Sequence, residues 1–261
     1  MVGRGNPVTS YGRCDHCGQY GAQANYDGRK WGTLYFVPLI PMGGHVRVLS
    51  ECGKCKRGAH VPRVQLDQIA EATVEQAFAA IDRLGKGEVQ YANDDGSQGH
   101  AAGDLAGALG TIYRTKGPAE AKQMMNEARD AASGQPAALD VAEGVLNEAE
   151  GDVETALAFY GQAASASEGD AMPLYLRASL LRSMGRGDEA VEAYHKLVEA
   201  APQDVGVRLE LVDLLTALNR HGEAVDQFEA TFSMVPELRG EKKFVKLYRK
   251  ACKKARRDPT V

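Results

Sequence analysis

The sequence predicts a mixed, multidomain chain in which a small β module at the N-terminus precedes an all-α solenoid. Three observations predict it. Two C-x2-C pairs, Cys14/Cys17 and Cys52/Cys55, bracket a stretch rich in aromatic and β-branched residues. Alanines at 156, 190 and 224, and aromatics at 160, 194 and 228, recur every 34 residues. Between these regions, residues 85–101 are crowded with glycine and aspartate and read as a mobile linker.

The cysteines come first. Two sulfurs separated by two residues sit on one tight turn, and two such turns supply the four sulfurs that tetrahedral Zn²⁺ takes at about 2.3 Å. Gly18 follows the first pair and supplies permissive backbone, whereas Lys56 stands at the corresponding place after the second. Between the pairs, Lys30–Val37 reads as a strand. Pro38 and Pro41 punctuate it, Gly43-Gly44 makes a turn, and His45–Leu49 alternates polar and apolar residues. A module of this size buries too little apolar surface to fold alone. A metal compensates, structural zinc contributing about 10–16 kcal/mol in finger peptides.

Cys14, Cys17, Cys52 and Cys55 are therefore the candidate ligands of one structural Zn²⁺. The same donors also suit the iron of a rubredoxin-like redox module. His16, inside the first turn, reads as exposed rather than ligating. Cys252, the fifth and odd cysteine, argues against a disulfide framework and reads as structural or neutral.

The first quarter of the chain resembles a family of small bacterial zinc-ribbon domains. The resemblance rests on Cys14-x-x-Cys17-Gly18, the Phe36–Pro41 run of aromatic-Val-Pro-Leu-Ile-Pro, a glycine turn, a short strand and Cys52-x-x-Cys55. It covers roughly residues 11–60 and implies a closed, structural site; Lys56 is its one departure. Residues 1–63 are assigned to this ribbon.

Residues 64–84 follow as a connecting helix, with Ile69, Val74, Phe78 and Ile81 as its expected buried side. The 34-residue spacing is the period of tetratricopeptide (TPR) repeats, in which each unit is a helix hairpin. The small residue lets paired helices approach, and the aromatic four positions later fills the space beside it. Units are assigned to 102–136 (degenerate), 137–170, 171–204 and 205–238. Pro202 and Pro236 close the last two at the same offset, and Glu168 stands where the earlier unit lacks proline. Residues 239–261 are expected to form a basic capping helix, with Phe244, Leu247, Tyr248 and Ala251 on its inner side.

The TPR resemblance implies a groove that holds a peptide or helix of another protein. Its lining positions fall on Met172, Tyr175, Ser179 and Arg182, then Leu209, Asp213 and Thr216. These are not the Lys and Asn set with which chaperone-binding members clamp a C-terminal carboxylate. No phosphate loop, nucleophile elbow or His-Glu-x-x-His occurs, and the six histidines are scattered, so the expectation is a non-enzymatic adaptor.

Charge supports an alternative. Residues 1–65 hold nine basic against three acidic residues, residues 66–238 twelve against thirty, and residues 239–261 ten against two. The basic ends, including Arg47, Lys54, Lys56, Arg57 and Arg63, favour phosphate through counterion release. Lys54, Lys56 and Arg57 are accordingly candidate anion contacts of a nucleic-acid-associated protein, although the acidic middle opposes a polyanion. No apolar run approaches the ~18 residues of a membrane span, and Met1–Ser10 has no apolar signal core. A cytoplasmic location is expected.

Overall fold

The computed structural model describes residues 2–34, 37–167 and 169–260, with side chains throughout except at 2–4 and 29–44. Tyr35, Phe36 and Glu168, on which part of the sequence reading rests, lie outside the described residues. The chain divides into two compact units, Met1–Ser167 and Glu168–Val261.

The first unit begins with a four-stranded antiparallel sheet in sequence order: β1 (Val2–Arg13), β2 (Tyr20–Leu34), β3 (Val37–Cys52) and β4 (Ala59–Pro62). Each C-x2-C turn closes a hairpin. Arg13 pairs with Tyr20 across the first turn, and Leu49 pairs with Ala59 across the second. The register of Gln23 opposite Cys52 then sets both turns side by side at one end of the sheet. Buried Asn25 ties three strands together: its amide donates to the Val8 carbonyl (3.1 Å) and to Ser10 Oγ (3.0 Å), and its oxygen accepts from the Ser50 amide (2.9 Å).

Strand β1 is absent from the sequence-based expectation. Its Gly-x-Gly-Asn-Pro start hides the alternation by which strands are recognised. An edge strand tolerates these residues, with Asn6 left-handed (φ 45°) in the irregular stretch between Gly5 and Val8.

Among the described residues of this unit, five helices follow: α1 (Arg63–Gly85), α2 (Ala101–Thr115), α3 (Pro118–Ala131), α4 (Pro136–Glu150) and α5 (Val153–Ala166). The buried side of α1 differs from expectation. Ile81 is buried, but Ile69 is 41% and Phe78 50% exposed, and the helix packs through Leu66, Ala70, Thr73, Ala77, Ala80 and Leu84. Its small-residue stripe meets α2, whose own inner side is alanine-rich, and two such stripes approach more closely than branched or aromatic side chains allow.

Residues 85–101 are structured. A second small sheet pairs β5 (Gln90–Ala92) with β6 (Gln98–His100) around a turn in which the Asn93 amide donates to the Ser97 carbonyl (2.8 Å). Tyr91 fixes this hairpin to its flanks. The Arg83 guanidinium lies 3.9 Å from its ring centroid, and its hydroxyl donates to Asp104 at the start of α2. His100 Nδ1 accepts from the Gly103 amide and caps α2. A Cβ at position 99 would lie 2.3 Å from the Tyr91 ring, so any larger residue there would push Tyr91 out of place. The mobile linker of the sequence reading is thus an ordered hairpin, and the division into compact units falls instead between Ser167 and Glu168.

The sheet docks on these helices. Tyr20 donates to the Glu148 carbonyl of α4 (3.3 Å), and the Tyr11 ring occupies the space that a Cβ on Gly151 would need. Arg47 reaches across to the Arg114 carbonyl of α2 (3.2 Å).

The second unit holds α6 (Ala171–Ser183), α7 (Gly187–Ala200), α8 (Val205–Ala217) and α9 (His221–Met234). A 3₁₀ turn at Pro236–Gly240 and α10 (Lys242–Ala255) follow. The 34-residue anchors Ala190, Tyr194, Ala224 and Phe228 are buried here, and Ala156 and Tyr160 are buried in the first unit. Tyr248, Ala251 and Cys252 of α10 pack on Val212, Val225, Phe228 and Phe232, with Phe244 at the margin of this cluster. Leu247, expected on the inner side, is 41% exposed. Cys252 is a core residue.

Candidate metal centre

The two cysteine turns are near copies of one another. In the first, the Gly18 amide donates to the Cys14 carbonyl (2.8 Å) and the Cys14 amide to the Gln19 carbonyl (2.9 Å). In the second, the Lys56 amide donates to the Cys52 carbonyl (3.0 Å) and the Cys52 amide to the Arg57 carbonyl (2.9 Å). Each turn also directs an amide at its leading sulfur, His16 to Cys14 Sγ and Lys54 to Cys52 Sγ, both at 3.4 Å. Closing the second turn requires left-handed backbone at Lys56 (φ 58°), matching Gly18 (φ 68°).

The four sulfurs lie within 4.8 Å of one another. Cys14 and Cys55 are 3.6 Å apart, and Cys17 and Cys52 are 3.8 Å apart. A disulfide would bring a pair to about 2.05 Å. A tetrahedron of sulfurs 2.3 Å from a central ion has edges of about 3.8 Å. The cluster therefore fits a tetrahedral tetrathiolate ion, and the buried Cys14 and Cys52 with the more exposed Cys17 and Cys55 close all four positions.

The thiols are electrically inequivalent. Cys52 is pulled down to about 6, first by the Cys55 and Lys54 amides. Cys17 is pushed up to about 11: the Gln19 amide favours its thiolate, but desolvation and the three neighbouring thiols outweigh that. Four thiols this close repel one another as thiolates, and a central dication removes that penalty. His16 is exposed.

The candidate anion contacts Lys54, Lys56 and Arg57 are exposed on the second turn, with Lys54 Nζ donating to Gln19 Oε1 (2.8 Å). Arg47, grouped with them by sequence, is buried. It pairs with Asp27 (3.1 Å) and donates to the Asn6 carbonyl (3.3 Å). Burial alone would raise the Asp27 carboxyl, but the Asn6 amide and the Arg47 guanidinium more than offset it and hold the group below its ordinary value.

The candidate groove residues fall on α6 and α8. Tyr175 and Asp213 are exposed, and Met172, Ser179, Arg182, Leu209 and Thr216 are half-buried. Glu210, which sequence reasoning missed, connects several of them. It accepts from Tyr194 (2.7 Å) and Tyr175 (3.5 Å) and pairs with Arg182 (3.5 Å). Burial, and then the bond to Glu210, push the Tyr194 phenol upward, so Tyr194 stays protonated and donating.

Residues 181–236, from the end of α6 to the turn after α9, match the tetratricopeptide repeat family. No curated protein matches the chain. Among solved structures the chain is similar to MamA AMB-1, at 16% identity over 72% of this chain and 84% of that one, with a TM-score of 0.43. It is also similar to MamA MSR-1, at 21% identity over 56% and 86%, TM-score 0.37. A third is YrrB, described as a TPR protein with an unusual peptide-binding site, at 16% identity over 59% and 86%, TM-score 0.39.

Proposed function

We propose that the chain is a cytoplasmic, non-enzymatic adaptor that binds a segment of a partner protein on the α6/α8 face, with Cys14, Cys17, Cys52 and Cys55 holding one structural Zn²⁺. The observation that carries this reading is the Glu210 cluster. It contacts both Tyr175 and Arg182 at 3.5 Å and so links the two helices through side chains that a partner would meet, which lowers the ordering entropy that opposes binding. Tyr175 then offers aromatic surface between Met172, Ser179 and Leu209, while Arg182, Asp213 and Thr216 offer polar contacts. The tetratricopeptide match over 181–236 supports the same use.

The metal's role in this reading is mechanical. A closed set of four thiolates leaves no position for substrate, and the two turns it clamps end the hairpins of a sheet that docks on α2 and α4. Iron fits the same donors and would give a redox module instead; thiolate-to-iron absorption distinguishes it from colourless zinc.

Affinity capture with the intact chain tests the adaptor. Tyr175→Ala combined with Leu209→Asp should abolish capture of a protein partner while circular dichroism stays unchanged. Capture that survives both substitutions would sink the reading.

A second reading, nucleic-acid association, has its own support. Lys242, Lys243, Lys246, Lys250, Lys253 and Lys254 of α10 are exposed and form no ion pair among the described residues, and Lys54, Lys56 and Arg57 are exposed on the second cysteine turn. It predicts salt-dependent RNA or DNA binding that weakens when these side chains are neutralised.

A further inference from the structure

A cleft of about 800 Å³ opens within the first unit, between the cysteine-turn end of the sheet and helices α2 and α4. Tyr11, Arg13 and Asp15 line its sheet side, and Arg114, Val145 and Glu148 its helical side. The volume is that of small-molecule sites, and the walls mix an aromatic and an aliphatic surface with a few charged groups.

Arg114 is the unusual member. It is half-buried in the last turn of α2, and among the described residues its only side-chain hydrogen bond goes to a neutral acceptor, Thr111 Oγ1 (3.3 Å). Its Nη1 lies over Gly110, 3.5 Å from where a Cβ would stand. Among the described residues no carboxylate lies within ion-pair distance, and Asp15 acts on it only from farther off. Burial accordingly disfavours its charge. Glu148 does not serve as its counter-ion: Oε2 accepts from the Tyr160 hydroxyl (3.1 Å), and burial raises the carboxyl toward its neutral form. A partly desolvated guanidinium facing a cleft without a paired acid is costly unless an anion from outside completes it.

We propose that this cleft binds a carboxylate-bearing ligand, its two oxygens taken by the Arg114 fork and its body lying between Tyr11 and Val145. A planar guanidinium matches a carboxylate in two parallel hydrogen bonds. The proposal concerns the first unit only and does not depend on the α6/α8 face.

Phenylacetate is the test probe, phenylacetamide its neutral isostere, N-acetylglutamate amide the same group as a protein would display it, and inorganic phosphate the competing oxyanion. The full chain as purified is titrated with each at constant ionic strength, reading the Arg114 Nε–H, Gly12 and Val145 resonances and the thermal midpoint. A saturable shift and a raised midpoint are expected with phenylacetate or with the blocked glutamate, and the tighter of the two assigns the source as a free acid or a protein side chain. Phenylacetamide should give neither, and Arg114→Gln should weaken binding about tenfold or more. The midpoint of the unsubstituted chain keeps the test valid if that variant folds poorly. Equal effects of acid and amide, tighter binding of phosphate, binding unchanged in Arg114→Gln, or no saturable shift at tens of millimolar would each overturn the proposal.

Discussion

Lys56 holds the same left-handed backbone conformation in the second cysteine turn that Gly18 holds in the first, φ 58° against 68°. Both amides close their turn on a cysteine carbonyl. An L-residue with a Cβ carries strain there that glycine does not. Lys56→Gly should therefore stabilise the metal-bound protein by about 0.5–1 kcal/mol, read as a shift in denaturant midpoint at constant slope. Gly18→Lys should destabilise it. A loss of stability in Lys56→Gly would mean that the lysine side chain contributes more than its backbone costs.

The Arg47–Asp27 pair couples the sheet to α2, because Arg47 also donates to the Arg114 carbonyl. Asp27→Ala strands a buried guanidinium. It should cost about 3 kcal/mol, the low end for breaking a buried pair, since the Asp27 side chain keeps 19% exposure. The pH dependence follows from the direction of the shift. The folded Asp27 carboxyl titrates below its unfolded value, so its contribution is present above about pH 4 and is lost as pH falls through the folded value. Asp27→Asn should flatten the stability curve below about pH 4, measured by urea unfolding across that range, and an identical acid slope in both proteins would contradict the pairing.

Metal removal should not act on the cysteine turns alone. Tyr20 bonds the Glu148 carbonyl and Tyr11 covers Gly151, so the sheet and the helices beneath it share one folded unit. Chelation, or Cys14→Ser, is expected to raise amide hydrogen exchange through β1–β4 and also around Arg114 and Glu148, with α8 and α9 as internal reference. Loss of protection confined to residues 14–19 and 53–58 would show that the sheet stands without its metal.

The β5–β6 hairpin should behave as part of the fold. The Asn93 and Ala101 amides, bonded to the Ser97 and Val89 carbonyls, should exchange slowly. Gly99→Ala drives a Cβ into the Tyr91 ring and should cost about 1–3 kcal/mol. Fast exchange at both amides, with no cost for Gly99→Ala, would restore a mobile linker.

Features carried by periodicity or by fixed chemistry were readable in the sequence. The alanine and aromatic positions at the 34-residue spacing are buried, and the two C-x2-C pairs converge. Features set by context were not. Strand β1 is held by pairing with β2 despite its glycines and proline. The face of α1 is chosen by how closely α2 approaches, which favours alanine over Phe78. Tyr91 looks like one aromatic residue in a polar loop until Arg83 and Asp104 are placed beside it. The Arg47 ion pair and the unpaired Arg114 likewise depend on residues distant in sequence.

The central claim is that four thiolates clamp one zinc ion as a staple for the docked sheet. Metal analysis of the natively purified chain, combined with thiol titration before and after denaturation with chelator, tests it most directly. The account predicts one zinc per chain, no visible absorption, and five thiols that become reactive only on denaturation with chelator, four released with the metal and the fifth being the core residue Cys252. A metal-free protein with four readily titrated thiols, or a coloured protein containing iron, would contradict it.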